Sequence, residues 1–145
     1  MKINIKKLSD QAIIPSYGSE FAAGADLYAC IESDVVVNPH QTVLIPTGIA
    51  LELPEGYAGL IYARSGLATK KGLAPANKVG VIDCDYRGEV KVALHNHSEI
   101  PQTVAAGERV AQLIITPYIT AQFVTVDELS DTVRGAGGFG STGSK

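Results

Sequence analysis

Alternation of apolar and polar residues, repeated along most of the chain, constrains the fold more than any other feature. Ile3 and Ile5 alternate with Lys2, Asn4 and Lys6, while Ala25, Leu27, Ala29 and Ile31 alternate with Asp26, Tyr28 and Cys30. Ile49, Leu51 and Leu53 flank Ala50 and Glu52, and Val90, Val92 and Leu94 flank Lys91 and Ala93. A period of two sends alternate side chains to one face, which is the pattern of half-buried strands. Short apolar runs at 35–37, 43–45, 60–62, 110–115 and 123–126 are further strand candidates. Pro39, Pro46, Pro54, Pro101 and Pro117, with Gly48, Gly56, Gly88 and Gly107, punctuate the series at the spacing of an all-β sandwich or barrel. The one helix candidate is short, Ser65–Lys71, with Ser65 as its N-cap and Gly72 as its stop. Strands this numerous must close, charge or share their edges.

A chain of 145 residues is expected to form one domain around one core. With 46% hydrophobic residues and a net charge of −3, it is too apolar and too weakly charged for disorder. No apolar run approaches the roughly 20 residues of a membrane-spanning helix. The N-terminus alternates where a secretion signal would carry an apolar block, so a cytoplasmic protein without a membrane partner is expected. Cys30 and Cys84 lack metal-ligand spacing and read as idle or buried thiols of a reducing compartment. The acidic balance, without a stripe of Lys and Arg, argues against a nucleic-acid partner.

Three clusters could carry chemistry. Residues 134–145 hold five of the fifteen glycines and no Val, Leu or Ile. Gly135, Gly137 and Gly140 formally satisfy a dinucleotide fingerprint, but no strand–helix unit surrounds them, and no GK[ST] follows for a phosphate-binding loop. What remains is a strip of amides with Arg134, Phe139, Ser141 and Thr142, read as a lid over an anionic ligand against the plainer reading of a loose terminus. Arg64-Ser65-Gly66 forms a second possible anion site, at a helix start. In the third, residues 77–89, a strand, a turn near 83–88 and a returning strand are expected to make a β-hairpin whose backbone could pair with a planar base, with Tyr86 as an apolar face. Asp83 and Asp85 could equally be turn formers.

Together these residues resemble the trimeric dUTPases, the deoxyuridine triphosphate nucleotidohydrolases. Five motifs occur in order: Ala23-Gly24-Ala25-Asp26-Leu27-Tyr28-Ala29; Arg64-Ser65-Gly66-Leu67-Ala68; residues 80–89 from Gly80 to Glu89; Gly107-Glu108-Arg109-Val110-Ala111-Gln112-Leu113; and residues 134–143. Cys84, Glu108 and Val110 depart from the commoner residues at their positions. The resemblance implies an all-β, distorted jelly-roll-like barrel, with residues 1–133 as the β domain and 134–145 as a flexible lid. It also implies a homotrimer whose active sites are each built from all three chains. The implied reaction converts dUTP and water to dUMP and pyrophosphate with Mg²⁺ on the triphosphate. That keeps uracil out of DNA and supplies dUMP for thymidylate synthesis.

By the same resemblance Asp83 is the base that orients water against the α-phosphorus, and Asp26, on the polar face of its strand, reaches Mg²⁺ through water. Arg64, Ser65, Gly66 and Gln112 bind phosphates, Arg134 clamps the γ-phosphate from another chain, and Phe139 stacks on uracil. Gly140, Ser141 and Thr142 close over the phosphates. Gly80, Val81, Ile82 and Asp83 read the uracil edge, Tyr86 refuses a 2′-hydroxyl, and Asn77 and Lys91 also line the pocket. His40, His95 and His97 carry no implied role, and Tyr17, Tyr57, Tyr62 and Tyr118 are expected in packing. Arg87, Glu89 and Arg109 are expected as ion pairs holding the hairpin and the trimer. Deamination of dCTP on the same fold, and a non-catalytic trimeric scaffold or nucleotide-sensing regulatory protein, are the competing readings.

Overall fold

The computed structural model describes residues 1–138, so Phe139, Gly140, Ser141 and Thr142 lie outside the described residues. Eleven strands and one helix are formed there: β1 (Asn4–Lys7), β2 (Ser16–Tyr17), β3 (Ala25–Tyr28), β4 (Val35–Val37), β5 (Thr42–Glu52), β6 (Tyr57–Tyr62), α1 (Ser65–Lys71), β7 (Leu73–Pro75), β8 (Gly80–Ile82), β9 (Glu89–Asn96), β10 (Gln102–Val104) and β11 (Arg109–Pro117). The expected all-β chain with one short helix is present. The strands pair into a four-stranded sheet, β1-β5-β9-β7, a five-stranded sheet, β2-β3-β11-β6-β8, and the pair β10-β4.

The core lies between the sheets. Ile45, Ile49 and Leu51 of β5 and Val90, Val92 and Leu94 of β9 meet Leu27, Ile61, Val110 and Leu113 from the other layer. Strand β9 keeps the expected alternation, with Val90, Val92, Leu94 and Asn96 buried and the residues between them more open. Within β9, Asn96 is the buried polar exception. Its amide donates to the carbonyls of Val37 and Ile100, and its Oδ1 accepts from the amide and hydroxyl of Ser98, so no group is stranded.

Several local expectations change. The two apolar runs at 43–45 and 49–53 belong to one strand, because β5 passes through Pro46 and absorbs the irregularity as a register shift between Pro46 and Ala50. Gly48 lies in that shift at φ 67°, with Cys30 and Ala12 where a Cβ would stand. The helix begins with Arg64 as its N-cap and without a side-chain cap, so Ser65 is the first helical residue; Gly72 stops the helix as expected, at φ 66°. The apolar run at 123–126 forms no strand, and Phe123 is 95% exposed.

The expected β-hairpin around Asp83 is not formed. Strand β8 pairs with β6 in one sheet, and β9 pairs with β5 and β7 in the other, so residues 83–88 make an arch that crosses between sheets. Alternation reports which face a side chain takes, and it is silent about which strand lies alongside.

Candidate active site

The arch places β8 at the end of the five-stranded sheet, with β6 on one side only. Its other edge therefore offers unpaired backbone donors and acceptors. Facing it is a cleft of about 320 Å³ whose walls include Asn77, Gly80, Val81, Ile82, Asp83, Tyr86 and Lys91. All seven were singled out in the sequence, and the fold brings them together. Gly80 fits because a Cβ there would press on Ile61 at 3.2 Å. Gly88 has no Cβ where the Tyr86 ring folds back, and the Tyr86 hydroxyl donates to the Glu89 carbonyl at 3.0 Å. Asp83 stands exposed at the start of the arch, where its carbonyl accepts from the Tyr86 amide at 3.1 Å.

Glu89 ties the arch to the bulge in β5. Its Oε1 accepts from the Gly48 amide at 2.9 Å, and its Oε2 lies 3.4 Å from the Lys91 ammonium. Arg87 reaches across to Glu52 at 3.8 Å. These are the ion pairs expected of Arg87 and Glu89, but they brace an arch where a hairpin was expected.

A second cleft, of about 230 Å³, gathers Asp26, Arg64, Ser65, Gly66 and Gln112 with Gly24 and Arg109. The Arg64 Nε donates to Asp26 Oδ1 at 2.7 Å, and Arg109 Nη1 donates to Oδ2 at 3.2 Å. Asp26 is thus 9% exposed, buried under two guanidinium groups, and the open polar face expected for it is covered. Arg109, expected to hold the hairpin and the trimer, lines this cleft. Gln112 donates one amide hydrogen to the Ala63 carbonyl at 2.8 Å, which leaves the second for a ligand. Gly24 makes room for it, since a Cβ there would sit 2.7 Å from Gln112 Oε1. Ser65 and Gly66 are exposed at the start of α1.

The two clefts have no wall residue in common. Arg134 lies in neither: its Nε donates to the Gly137 carbonyl at 2.8 Å within a local turn. Sequence reasoning did not assign Gly24 or Arg109 to the site; the tight approach of Gly24 to Gln112 and the shared carboxylate of Asp26 involve partners far away in the chain.

The other expectations divide. His40 pairs with Glu99 at 3.2 Å and His95 with Thr42 at 2.9 Å, at the surface as expected. None of Tyr17, Tyr57, Tyr62 and Tyr118 is fully buried, and the Tyr118 hydroxyl lies 3.5 Å from the Cys84 sulfur. That contact with the thiol raises the Tyr118 phenol above its ordinary value. Among the described residues no group of three or more His, Cys, Asp or Glu side chains is placed to hold a metal ion, and no helix is long and apolar enough to cross a membrane.

Comparison with known proteins gives one consistent result. The dUTPase family model matches residues 10–143. The deoxyuridine 5'-triphosphate nucleotidohydrolase of Hydrogenobaculum sp. is 50% identical over 145 residues, covering all of both chains. A variant dUTPase of Staphylococcus bacteriophage 80alpha, solved with dUpNHpp, superposes with a TM-score of 0.90 at 29% identity, covering 99% of each chain. A variant dUTPase of phage phi11 of S. aureus, whose structure reveals the coordination of a structural Mg(II) ion, has a TM-score of 0.77 at 26% identity, covering 88% of this chain and 98% of the other.

Proposed function

The chain belongs to the dUTPase family and is a dUTP diphosphatase, and we propose that it works at sites assembled between copies of itself. One observation carries the second half of that statement. The cleft with the edge-strand backbone and Asp83, the cleft with Arg64 and Gln112, and Arg134 occupy three separate places in one chain. A homotrimer supplies all three to a common site if neighbouring chains face one another.

In this reading the edge of β8 at residues 80–83 pairs with uracil. Cytosine would present its donors and acceptors reversed and leave buried groups unpaired. Tyr86, held by its bond to Glu89, lies against the deoxyribose and excludes a 2′-hydroxyl, with Asn77 and Lys91 completing the wall. Arg64, Ser65, Gly66 and Gln112 of another chain neutralise and orient the phosphates. Arg134 and the segment 134–145, including Phe139, Gly140, Ser141 and Thr142, form the lid. Residues 1–133 are then the β domain on which it closes. Asp83, exposed at the arch, holds a water in line with the α-phosphorus and accepts its proton as the bond to the leaving pyrophosphate breaks.

The donor set fits a Mg²⁺ that keeps most of its own water, because a single carboxylate, Asp26, lies beside the phosphate-binding groups and no chelating cluster is present among the described residues. Asp26 would hold the ion through water; bound there, the ion would supply charge neutralisation on the triphosphate. The two unpaired thiols, Cys30 and Cys84, suit a cytoplasmic enzyme, where hydrolysis would limit uracil incorporation into DNA and provide dUMP.

Assaying pyrophosphate release from dUTP and the four common deoxynucleoside triphosphates, with sizing in solution, tests this reading. Release from dUTP alone by a trimer is expected. Ammonia from dCTP without pyrophosphate from dUTP would indicate a deaminase, and turnover equal to a no-enzyme control would indicate a scaffold.

A further inference from the structure

We propose that Arg109 is a positioning residue of the phosphate cleft, holding Asp26 from the strand side so that Arg64 can exchange that carboxylate for phosphate. The inference rests on the reading of this cleft as the triphosphate site. It starts from the division of the Asp26 carboxylate between two arginines. Oδ1 accepts from Arg64 Nε at 2.7 Å and Oδ2 from Arg109 Nη1 at 3.2 Å. The Asp26 side chain is only 12% exposed. A carboxylate so covered needs a cation or a set of donors at all times. Were Arg64 its sole partner, each movement of Arg64 toward a phosphate would strand it.

The two arginines are anchored differently. Arg64 is the N-cap of α1, next to the exposed Ser65 and Gly66; it spends its Nε on Asp26 and makes one long contact, 3.5 Å, from Nη1 to the Arg109 carbonyl, which leaves Nη2 for an anion. Arg109 opens β11, where it is paired with Tyr28 of β3. Its neighbour Glu108 accepts from the Lys71 ammonium at 2.7 Å and from the Ala105 amide at 2.9 Å. The backbone that carries Arg109 is therefore fixed by strand pairing and by the last turn of α1. Arg109 stays with the carboxylate, and Arg64 turns between carboxylate and substrate.

Calorimetric titration of the full-length protein with dUpNHpp and with dUMP separates this role from a structural one. Arg109→Leu is expected to weaken dUpNHpp by about tenfold or more, leave dUMP within about twofold, and raise KM for dUTP more than it lowers kcat. Arg109→Lys, which keeps the charge and one bond, is expected to recover most of the loss. In an Asp26→Asn background, Arg109→Leu should weaken dUpNHpp by no more than about twofold further, because the residue acts through Asp26. Equal losses for both ligands, unchanged dUpNHpp binding, or additive losses in the double variant would overturn the proposal. If Arg109→Leu does not fold, Arg109→Gln carries the same comparison with the same outcomes. A wild-type protein that binds neither ligand would overturn the function itself, and the inference with it.

Discussion

Asp26 lies under two guanidinium groups, whereas Asp83 stands exposed where the chain leaves one sheet for the other. The same side chain is thereby fixed as a counter-ion in one place and left available to water in the other. Asp83→Asn removes the proposed proton acceptor and keeps the shape, so kcat should fall by about 10²- to 10⁴-fold. Affinity for dUpNHpp should stay near that of the wild type. Steady-state kinetics with calorimetry checks both, and an unchanged kcat would remove Asp83 from the chemistry. A different titration bears on the pH dependence of stability. A slight loss of water around the exposed His97, and after it the nearby His95, Lys78 and His40, holds it below its ordinary 6.5. The unfolded chain then binds the proton more readily than the folded one. Its stabilising share is complete above the unfolded value and is lost as pH falls through the interval beneath it. His97→Gln should flatten the decline of the thermal midpoint between about pH 7 and pH 5. Identical slopes in wild type and variant would contradict the assignment.

Elements explain why some of this was legible in the sequence and some was not. The helix Ser65–Lys71 and its stop at Gly72 are local matters, a short helix former between a turn and a left-handed glycine, and the sequence shows them. The alternation of β9 is equally local. The arch is not: whether β8 turns back on β9 or crosses to the other sheet depends on β6 and β5, which lie well outside the local segment in sequence. The partners of Arg109 and the burial of Asp26 are hidden for the same reason, since β3, α1 and β11 meet only in the folded chain. The bulge in β5 makes a further prediction at this scale. At Gly48 a Cβ would stand 2.6 Å from the Cys30 sulfur and 2.8 Å from the Ala12 Cβ, at φ 67°. Gly48→Ala should therefore cost about 3 kcal/mol in urea denaturation, from overpacking and left-handed strain together. Gly56→Ala, at φ 80° with open space around it, should cost about 1 kcal/mol, the strain alone. Equal costs at the two positions would show that packing at the bulge is looser than described.

On the scale of the whole molecule, the chain carries parts that are incomplete alone. Beyond β11 it leaves Ile119, Phe123 and Leu129 exposed at 92%, 95% and 87%, apolar side chains that the described residues of one copy leave uncovered. The two clefts and Arg134 are likewise separate. Both features would follow from the proposed ring of three copies, in which each chain lends its end to a neighbour. The most direct measurement is pyrophosphate release from dUTP by trimers mixed from two inactive parents, Asp83→Asn chains and chains truncated after Asp131. After verified subunit exchange, every mixed ring should contain a single site with an intact arch and an intact tail from different chains. An equal mixture should then recover about a quarter of wild-type activity. Activity no higher than that of the separate parents would contradict a site shared between chains.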